Sequence, residues 1–310
     1  MNRKIAPLII ALLLILTPNL PLVLAATSGD SSGTVGVSNV TPTIATPAWT
    51  HDGEQIDPYT TYTVGWTIGD KNTLADLTLV TIKMWDSGTT TEGGADSAVN
   101  HYTFTWTEAT SAWAEVGPDG GGSHLVSGSC DDPSDKTAGS YAFVLGFKLA
   151  KSAQKTATAT WHIKVIVTDD GSNSANRDTE TFGVNSYKDI TIDDATHSWS
   201  SLTPGDSNQA IGTPVDGKID FTVTSNDVYD IQAKGTTPTS GSDTIAVGQI
   251  KVHKDTLVSA SALTTSYADV GGLTDQSAGE SVGLNLKLWI TVPNPQKAGS
   301  YTYTLSIQVN

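Results

Sequence analysis

Acidic side chains concentrate in three stretches with turn composition, and they are the groups of this chain best suited to binding a metal ion. The three sets are Asp169, Asp170 and Asn173; Asp70, Asn72 and Asp76; and Asp131, Asp132 and Asp135. Ca²⁺ takes six to eight oxygen ligands from carboxylates, amides and backbone carbonyls, although no stretch here completes an EF-hand loop. We predict that these are ordinary turn residues bonded to their own backbone and that the chain has no cofactor. The alternative is a Ca²⁺ site, for which Asp169, Asp170 and Asn173 are the candidate ligands.

The sequence predicts no catalytic residues and no cofactor-binding residues. Its six histidines are scattered without the spacing of a catalytic zinc site. Residues 279–283 match the glycine–serine–glycine pattern of serine hydrolases, but a predicted strand follows them where those enzymes have a helix. Carboxylate pairs for glycoside hydrolysis assemble in space rather than in sequence, so a secreted glycan-processing enzyme is kept as an alternative. We predict a non-enzymatic protein.

Aromatic residues offer a second kind of binding surface. The chain has eight tryptophans, and Tyr102, Phe104 and Trp106 share one face of a predicted strand with Trp113 close by. An exposed face of this kind binds sugars by stacking, whereas a buried one fills the core of a β-sandwich. We predict burial, and a carbohydrate-binding adhesive module is the alternative.

Two side chains are candidates for covalent modification. Asn39 begins the glycosylation sequon Asn-Val-Thr, in a position that we expect to be accessible. Cys130 is the one cysteine, so no disulfide within the chain can form. We predict an unpaired thiol in a loop, with an intermolecular disulfide as the alternative.

Residues 1–25 have the organisation of a secretory signal peptide. Arg3 and Lys4 precede an apolar run over residues 5–16, and small residues before Ala26 offer a cleavage site. Two prolines follow the run and shorten it below the roughly 20 residues that a membrane span needs. We therefore predict cleavage and a secreted, cell-surface-associated protein, with an uncleaved anchor as the alternative. Residues 26–37, rich in Ser, Gly and Thr, predict a flexible leader.

The formal net charge is −15, and cleavage would remove two basic residues but no acidic one. A strongly acidic chain repels nucleic acid and anionic membranes. We expect no nucleic-acid partner and no transmembrane span once the signal is cleaved. The charge is compatible with divalent cations or a high-salt environment.

The stretch from Thr158 to Gly171 is the clearest strand, and the rest of the chain is interpreted around it. Apolar residues alternate along it with a period of two, which predicts a buried face and an opposite face. The buried set is Trp161, Ile163, Val165 and Val167, and the opposite set is His162, Lys164, Ile166 and Thr168. A turn at residues 169–171 then ends the run.

Short alternating runs separated by turn residues predict an all-β protein with two antiparallel β-sandwich domains in tandem. The first domain covers residues 38–188, with strands at 62–68, 77–85, 102–107, 141–149 and 178–184 besides the central one. The second covers residues 189–310, with strands at 190–192, 218–224, 229–233, 245–252, 282–292 and 300–309.

Two segments resemble known surface proteins. Trp161-x-Ile-x-Val-x-Val-Thr-Asp-Asp-Gly is similar to a late strand and hairpin turn of immunoglobulin-like and cadherin-like modules in prokaryotic surface proteins. The run from Asp70 to Leu77, leading into Val80-x-Ile-x-Met-Trp85, resembles segments of exported archaeal surface proteins. The resemblance implies immunoglobulin-like folds and an envelope location, and it implies no catalytic residues.

The predicted function is that of an extracellular structural or adhesive protein of the cell envelope or matrix. Retention at the surface would then need non-covalent partners: copies of itself, other envelope proteins, or glycans. Residues 34–40 alternate like a strand, so Val35 and Val37 are candidates for a donor strand that adds to a neighbour's sheet edge in a surface layer or filament. The alternative is that they form the first strand of their own domain.

Overall fold

The structure is a computed structural model that describes residues 33–117 and 124–310, apart from the side chain of Thr179. The predicted signal peptide, most of the leader and the Gly-rich residues 118–123 lie outside the described residues. The chain divides into two compact units, Met1–Ser38 and Asn39–Asn310. In the first unit the described residues form no strand, and Val35 and Val37 are 88% and 82% exposed.

Nine strands build the N-terminal half of the second unit. They are β1 (Thr43–Ile44), β2 (Gln55–Ile56), β3 (Tyr62–Gly69), β4 (Leu77–Asp86), β5 (His101–Thr107), β6 (Ala112–Gly117), β7 (Ser140–Phe147), β8 (Trp161–Asp169) and β9 (Ser174–Val184). One sheet has the order β1-β3-β7, and the other has the order β2-β9-β8-β4-β5-β6. All of these pairs are antiparallel except β2 with β9. Both sheets contribute side chains to one hydrophobic core.

The central strand of the larger sheet is β8, as the sequence predicts. It lies between β9 and β4, and buried residues alternate with half-buried ones along its whole length. Trp161 is fully buried, stacks on Phe182 at 5.7 Å between ring centroids, and donates from Nε1 to the carbonyl oxygen of Gln154 over 3.1 Å. The predicted face of β8 is therefore confirmed.

The neighbouring strand β4 departs from the predicted alternation at its first residue. Strict alternation along the predicted strand 77–85 would put Leu77 on the face opposite to Val80, yet both are fully buried. A register shift between Leu77 and Leu79 places the first residue on the core side. A bulge inserts one residue into a strand, which reverses the facing of everything before it.

Eleven strands follow in the C-terminal half. They are β10 (Lys188–Ile192), β11 (Gln209–Ala210), β12 (Ile219–Ser225), β13 (Ile231–Gly235), β14 (Thr239–Ser240), β15 (Asp243–Thr244), β16 (Ile250–His253), β17 (Ser261–Ala262), β18 (Ala268–Asp269), β19 (Gly279–Ile290) and β20 (Leu305–Val309). The sheets have the orders β10-β12-β19-β16-β17, with β11 also on β19, then β18-β13-β20, and the pair β14-β15. A second hydrophobic core lies among them.

Two predicted strands of this half are shorter than expected. Val247–Gln249 forms a 3₁₀ turn, so the run predicted over residues 245–252 is a strand only in β16. The run predicted over 300–309 is reduced to β20, although Tyr303 still packs against the second core. The predicted alternation of β12 is confirmed, with Ile219, Phe221 and Val223 buried.

The two halves meet at Asn226, a residue that is only 2% exposed. Its Nδ2 group donates to the carbonyl oxygens of Ala153 and Asn185, over 2.8 and 2.9 Å. Its Oδ1 accepts from the N–H of Tyr187 over 2.7 Å. One side chain thus bonds to the backbone of Ala153, which belongs to the first core, and to the backbone of the connection between β9 and β10.

The predicted all-β class is confirmed by these antiparallel sheets. The described helices are the 3₁₀ turns Leu74–Asp76, Ser127–Ser129 and Val247–Gln249. Among the described residues, no helix has the length and apolar character that crossing a membrane requires.

Removing the Trp161 ring should strongly destabilise the N-terminal half. Trp161→Ala deletes a fully buried ring, and we expect it to lower the free energy of unfolding by roughly 3–5 kcal/mol. His162→Ala is the matched control, because His162 lies on the other face and stacks on Trp85. Chemical denaturation of both variants measures the difference, and equal losses would contradict the assigned register.

Candidate metal centre

The pairing of β4 with β8 brings two of the acidic turns together. β8 ends at Asp169, β4 begins at Leu77, and the antiparallel register pairs these two residues. Because the start of one antiparallel strand lies beside the end of its partner, Asp76 reaches the turn that follows β8. The N–H of Asp170 donates to the carbonyl oxygen of Asp76 over 2.8 Å and joins the two turns.

Asp70 comes from a third element, the end of β3. Its N–H donates to the carbonyl oxygen of Gly139 over 2.9 Å, beside the start of β7. The N–H of Asn72 donates to Asp70 Oδ1 over 2.7 Å, the hydrogen bond of an Asx turn. These two bonds fix the position of the Asp70 carboxylate, and only 3% of the residue is exposed.

The three strand ends place three carboxylates in one cluster. One carboxylate oxygen from each of Asp70, Asp76 and Asp169 lies within 4.8 Å of the other two. Asp169 is only 2% exposed, so two of the three residues are buried. No lysine or arginine in the described part of the chain forms an ion pair with them. The negative charges therefore face one another without a cationic side chain between them.

Two oxygens of this cluster lack hydrogen-bond partners. Asp70 Oδ2 and Asp76 Oδ2 are both buried, and neither bonds to another atom of the described residues. A buried carboxylate oxygen without a partner loses its hydration and gains nothing in return, which costs more than for a neutral group. Among the described residues, the site thus lacks both a cationic side chain and hydrogen-bond donors for these two oxygens.

The pKa of Asp76 reflects this environment. It is raised from 3.8 to about 6, first by burial and then by a hydrogen bond to the Asp170 side chain. The negative charges of Asp170, Asp70 and Asp169 raise this pKa as well. Two neutralising agents fit such a group: a proton shared between Asp76 and Asp170, or a cation held by all the carboxylates.

The donor set fits a hard divalent cation. Carboxylate oxygens are the ligands of Ca²⁺ and Mg²⁺, and Ca²⁺ binds them at about 2.3–2.6 Å in a flexible geometry. Two oxygens that share one Ca²⁺ are therefore at most about 5.2 Å apart. The three oxygens of the cluster, within 4.8 Å of one another, are close enough to bind one ion. Asp70, Asp76 and Asp169 would hold the ion, with backbone carbonyls and water completing its shell.

Of the three candidate ligands that the sequence offers, one belongs to this cluster. Asp169 is in it, whereas Asp170 is exposed and interacts with Asp76. Asn173 donates to Asp169 from its backbone N–H over 2.7 Å and from Nδ2 over 3.1 Å, so it is a hydrogen-bond partner of the ligand. The sequence places Asp70 and Asp76 in a separate turn, because local composition does not reveal the strand pairing that unites the two turns.

The third acidic turn uses its carboxylates locally. Asp131 Oδ1 accepts from the Tyr141 hydroxyl over 2.8 Å. Asp135 Oδ1 accepts from the backbone N–H and the hydroxyl of Thr137, over 2.9 and 2.7 Å. The bonds of Asp135 are those expected of an ordinary turn residue, whereas Asp131 bonds to the strand that follows the turn.

The predicted aromatic face is a core face. Tyr102, Phe104 and Trp106 are fully buried, and Trp113 is 9% exposed. Trp106 packs edge-on against Phe143 of the facing sheet at 5.0 Å between centroids. Burial removes this face as a sugar-binding platform.

The structure also shows where the serine of the hydrolase-like pattern and the cysteine lie. Ser281 lies inside β19, so the hydrolase-like pattern is part of a strand and lacks the strand–turn–helix that exposes a nucleophile. Cys130 is half-buried and unpaired, and its Sγ accepts from the N–H of Gly146 over 3.3 Å. Burial raises the pKa of the Cys130 thiol above its ordinary value, which disfavours the reactive thiolate.

Comparisons with known proteins give no family. No model of a protein family matches the chain, and no curated protein matches it.

Calcium should stabilise the protein, and Asp70→Asn should remove the effect. At 100 times the Kd, an ion that binds only the folded state adds about 2.7 kcal/mol, which raises Tm by roughly 5–10 °C. In chelator the variant should melt at or above the wild type, because it carries one charge fewer in the cluster. Thermal melts with Ca²⁺ and with chelator measure both effects.

The control for this experiment is Asp135→Asn, in the acidic turn that uses its carboxylate locally. It should keep the full calcium response. A wild-type Tm that is indifferent to Ca²⁺ and to chelator would contradict the metal site and leave the shared proton as the neutralising agent.

In chelator the protein should become more stable as the pH falls from 7 to 5. The folded-state pKa of Asp76, about 6, exceeds the ordinary 3.8, so the folded state binds more protons in this range. The contribution of Asp76 to stability is full below about pH 3.8 and is lost as the pH rises through 6. Asp76→Asn should flatten this part of the Tm profile, and identical profiles would refute the assignment.

Proposed function

We propose that this chain is an exported, non-enzymatic structural or adhesive protein of the cell envelope whose first β-sandwich is completed by a bound Ca²⁺. The observation that carries the proposal is the carboxylate cluster with two buried, unpartnered oxygens. It lies beside the end of β3, the start of β4 and the end of β8, between elements that the core already fixes. An ion there ties together loops from both sheets, which is a structural role.

The use of the other titratable groups supports a structural protein. His101 is 1% exposed, and its Nδ1 lies 2.7 Å from Asp96 Oδ1. His124 is also buried, with Nδ1 2.6 Å from Glu115 Oε1. Each pair fixes a loop to a strand of the larger sheet. Two of the six histidines are thus occupied in holding the fold.

The two hydrophobic cores support the division into two immunoglobulin-like sandwiches in tandem, with a boundary near residues 188 and 189. The first core is shared between a three-stranded and a six-stranded sheet. The second core lies among strands after residue 188. Asn226 and the ion pair of Lys155 with Asp227 join the two regions.

Self-assembly by strand addition is our proposal for how the protein is retained at a surface. Val35 and Val37 are exposed and belong to no strand, and the first strand of the second unit begins at Thr43. A strand needs a free sheet edge to join, and β20 pairs with a described strand on one side only. Alternating apolar residues on a segment outside a sheet suit such an addition.

Light scattering and electron microscopy of the chain from Ala26 test this proposal in Ca²⁺. We expect particles larger than a monomer, and a monomer with the double variant Val35→Asp, Val37→Asp. Val258→Asp is the matched control, since Val258 is 98% exposed in the C-terminal half. A wild-type monomer at high concentration and in all salt conditions would contradict self-assembly.

A further inference from the structure

The segment from Asn39 to Pro42 contacts both turns that supply the candidate ligands. The N–H of Val40 donates to Asn72 Oδ1 over 2.9 Å. The backbone N–H of Asn72 in turn donates to Asp70 Oδ1 over 2.7 Å. A continuous chain of two hydrogen bonds therefore connects the segment to a buried carboxylate of the cluster.

The second contact is made by the turn that follows β8. A Cβ atom added at Gly171 would overlap with the side-chain amide of Asn39. The side chain of Asn39 thus lies directly against Gly171, and a Cβ atom there would push its amide group away from the turn. Gly171 is two residues after Asp169, so its position depends on the same turn that presents this ligand.

The position of the segment therefore depends on the spacing between the two turns. Asn72 belongs to the turn of Asp70, and Gly171 belongs to the turn of Asp169. Without a cation, the carboxylates on the two turns repel each other at short range in a poorly solvated site. A bound cation reverses that force and holds the turns at one separation.

A surface groove lies beside Asp70. It is lined by Val40, Asp70 and Gly139 among others, so the segment and one carboxylate residue of the cluster share this groove. The groove is a further place where the segment and Asp70 are neighbours.

We propose that a divalent cation bound by Asp70, Asp76 and Asp169 is the latch that holds residues 39–42 on their own fold. Loss of the cation separates the two turns, breaks the bond from Val40 to Asn72 and releases the segment. This inference rests on the proposed cation site. Besides the clustering of the carboxylates, Asp70 supports the site: the residue is 3% exposed, and its Oδ2 has no hydrogen-bond partner among the described residues.

Hydrogen exchange of the full chain, followed by mass spectrometry, tests the latch. We expect the amide of Val40 to exchange at least about tenfold faster in chelator than in Ca²⁺. Amides of β12, in the C-terminal half, are the internal reference and should change little. Equal exchange of Val40 in the two conditions would overturn the proposal.

Two variants separate the latch from the ion site. Asn72→Ala removes the acceptor for Val40, and Gly171→Ala places a Cβ against Asn39, while neither alters a ligand carboxylate. Both should keep the rise of Tm with Ca²⁺ and lose the protection of Val40 in Ca²⁺. Protection that persists in both variants would overturn the latch.

The two proposals fail in different ways. If Tm does not respond to Ca²⁺ in the wild type, the cation site is wrong and the latch falls with it. If Tm responds but the exchange of Val40 does not, the site stands and the latch alone is wrong. The wild-type measurements make this distinction even if both variants fail to fold.

Discussion

The constraint on which the N-terminal half depends is that like charges brought together in a poorly solvated place must be neutralised. Three strand ends converge at Asp70, Asp76 and Asp169 because the core fixes the strands that precede or follow them. The strand ends bring the carboxylates close together, so they need a partner that the described side chains do not supply. A metal cation supplies positive charge and also coordinates several oxygens, whereas a proton supplies only positive charge.

The range of each interaction decides whether it can be predicted from sequence. The buried face of β8 is predictable because alternation is local, and each residue in the run reports on the same face. The face of the sheet on which Leu77 lies is not predictable, because the bulge after Leu77 depends on pairing with β8, about 90 residues away. The aromatic face of β5 is correctly assigned to the core because large rings on a strand face are seldom left in water.

The candidate site also combines local features, which are predictable from sequence, with a long-range contact, which is harder to predict. Each acidic turn is recognisable from its own composition, and Asp169 is a candidate ligand on that ground. What joins it to Asp76 is the antiparallel pairing of β4 with β8, which is a long-range contact. The sequence does carry a signal for this pairing: both strands alternate strongly, and antiparallel neighbours bring the start of one to the end of the other. That rule, applied to these two strands as neighbours, places Asp76 beside Asp169.

The buried amide of Asn226 also limits bending at the junction between the two halves. Its side chain uses both donor hydrogens and its acceptor on backbone groups of Ala153, Asn185 and Tyr187. Bending at this junction would break these bonds and leave buried polar groups unpaired, at about 1–3 kcal/mol each. Each of these costs exceeds the thermal energy at room temperature, so the junction resists bending as long as the bonds of Asn226 are intact.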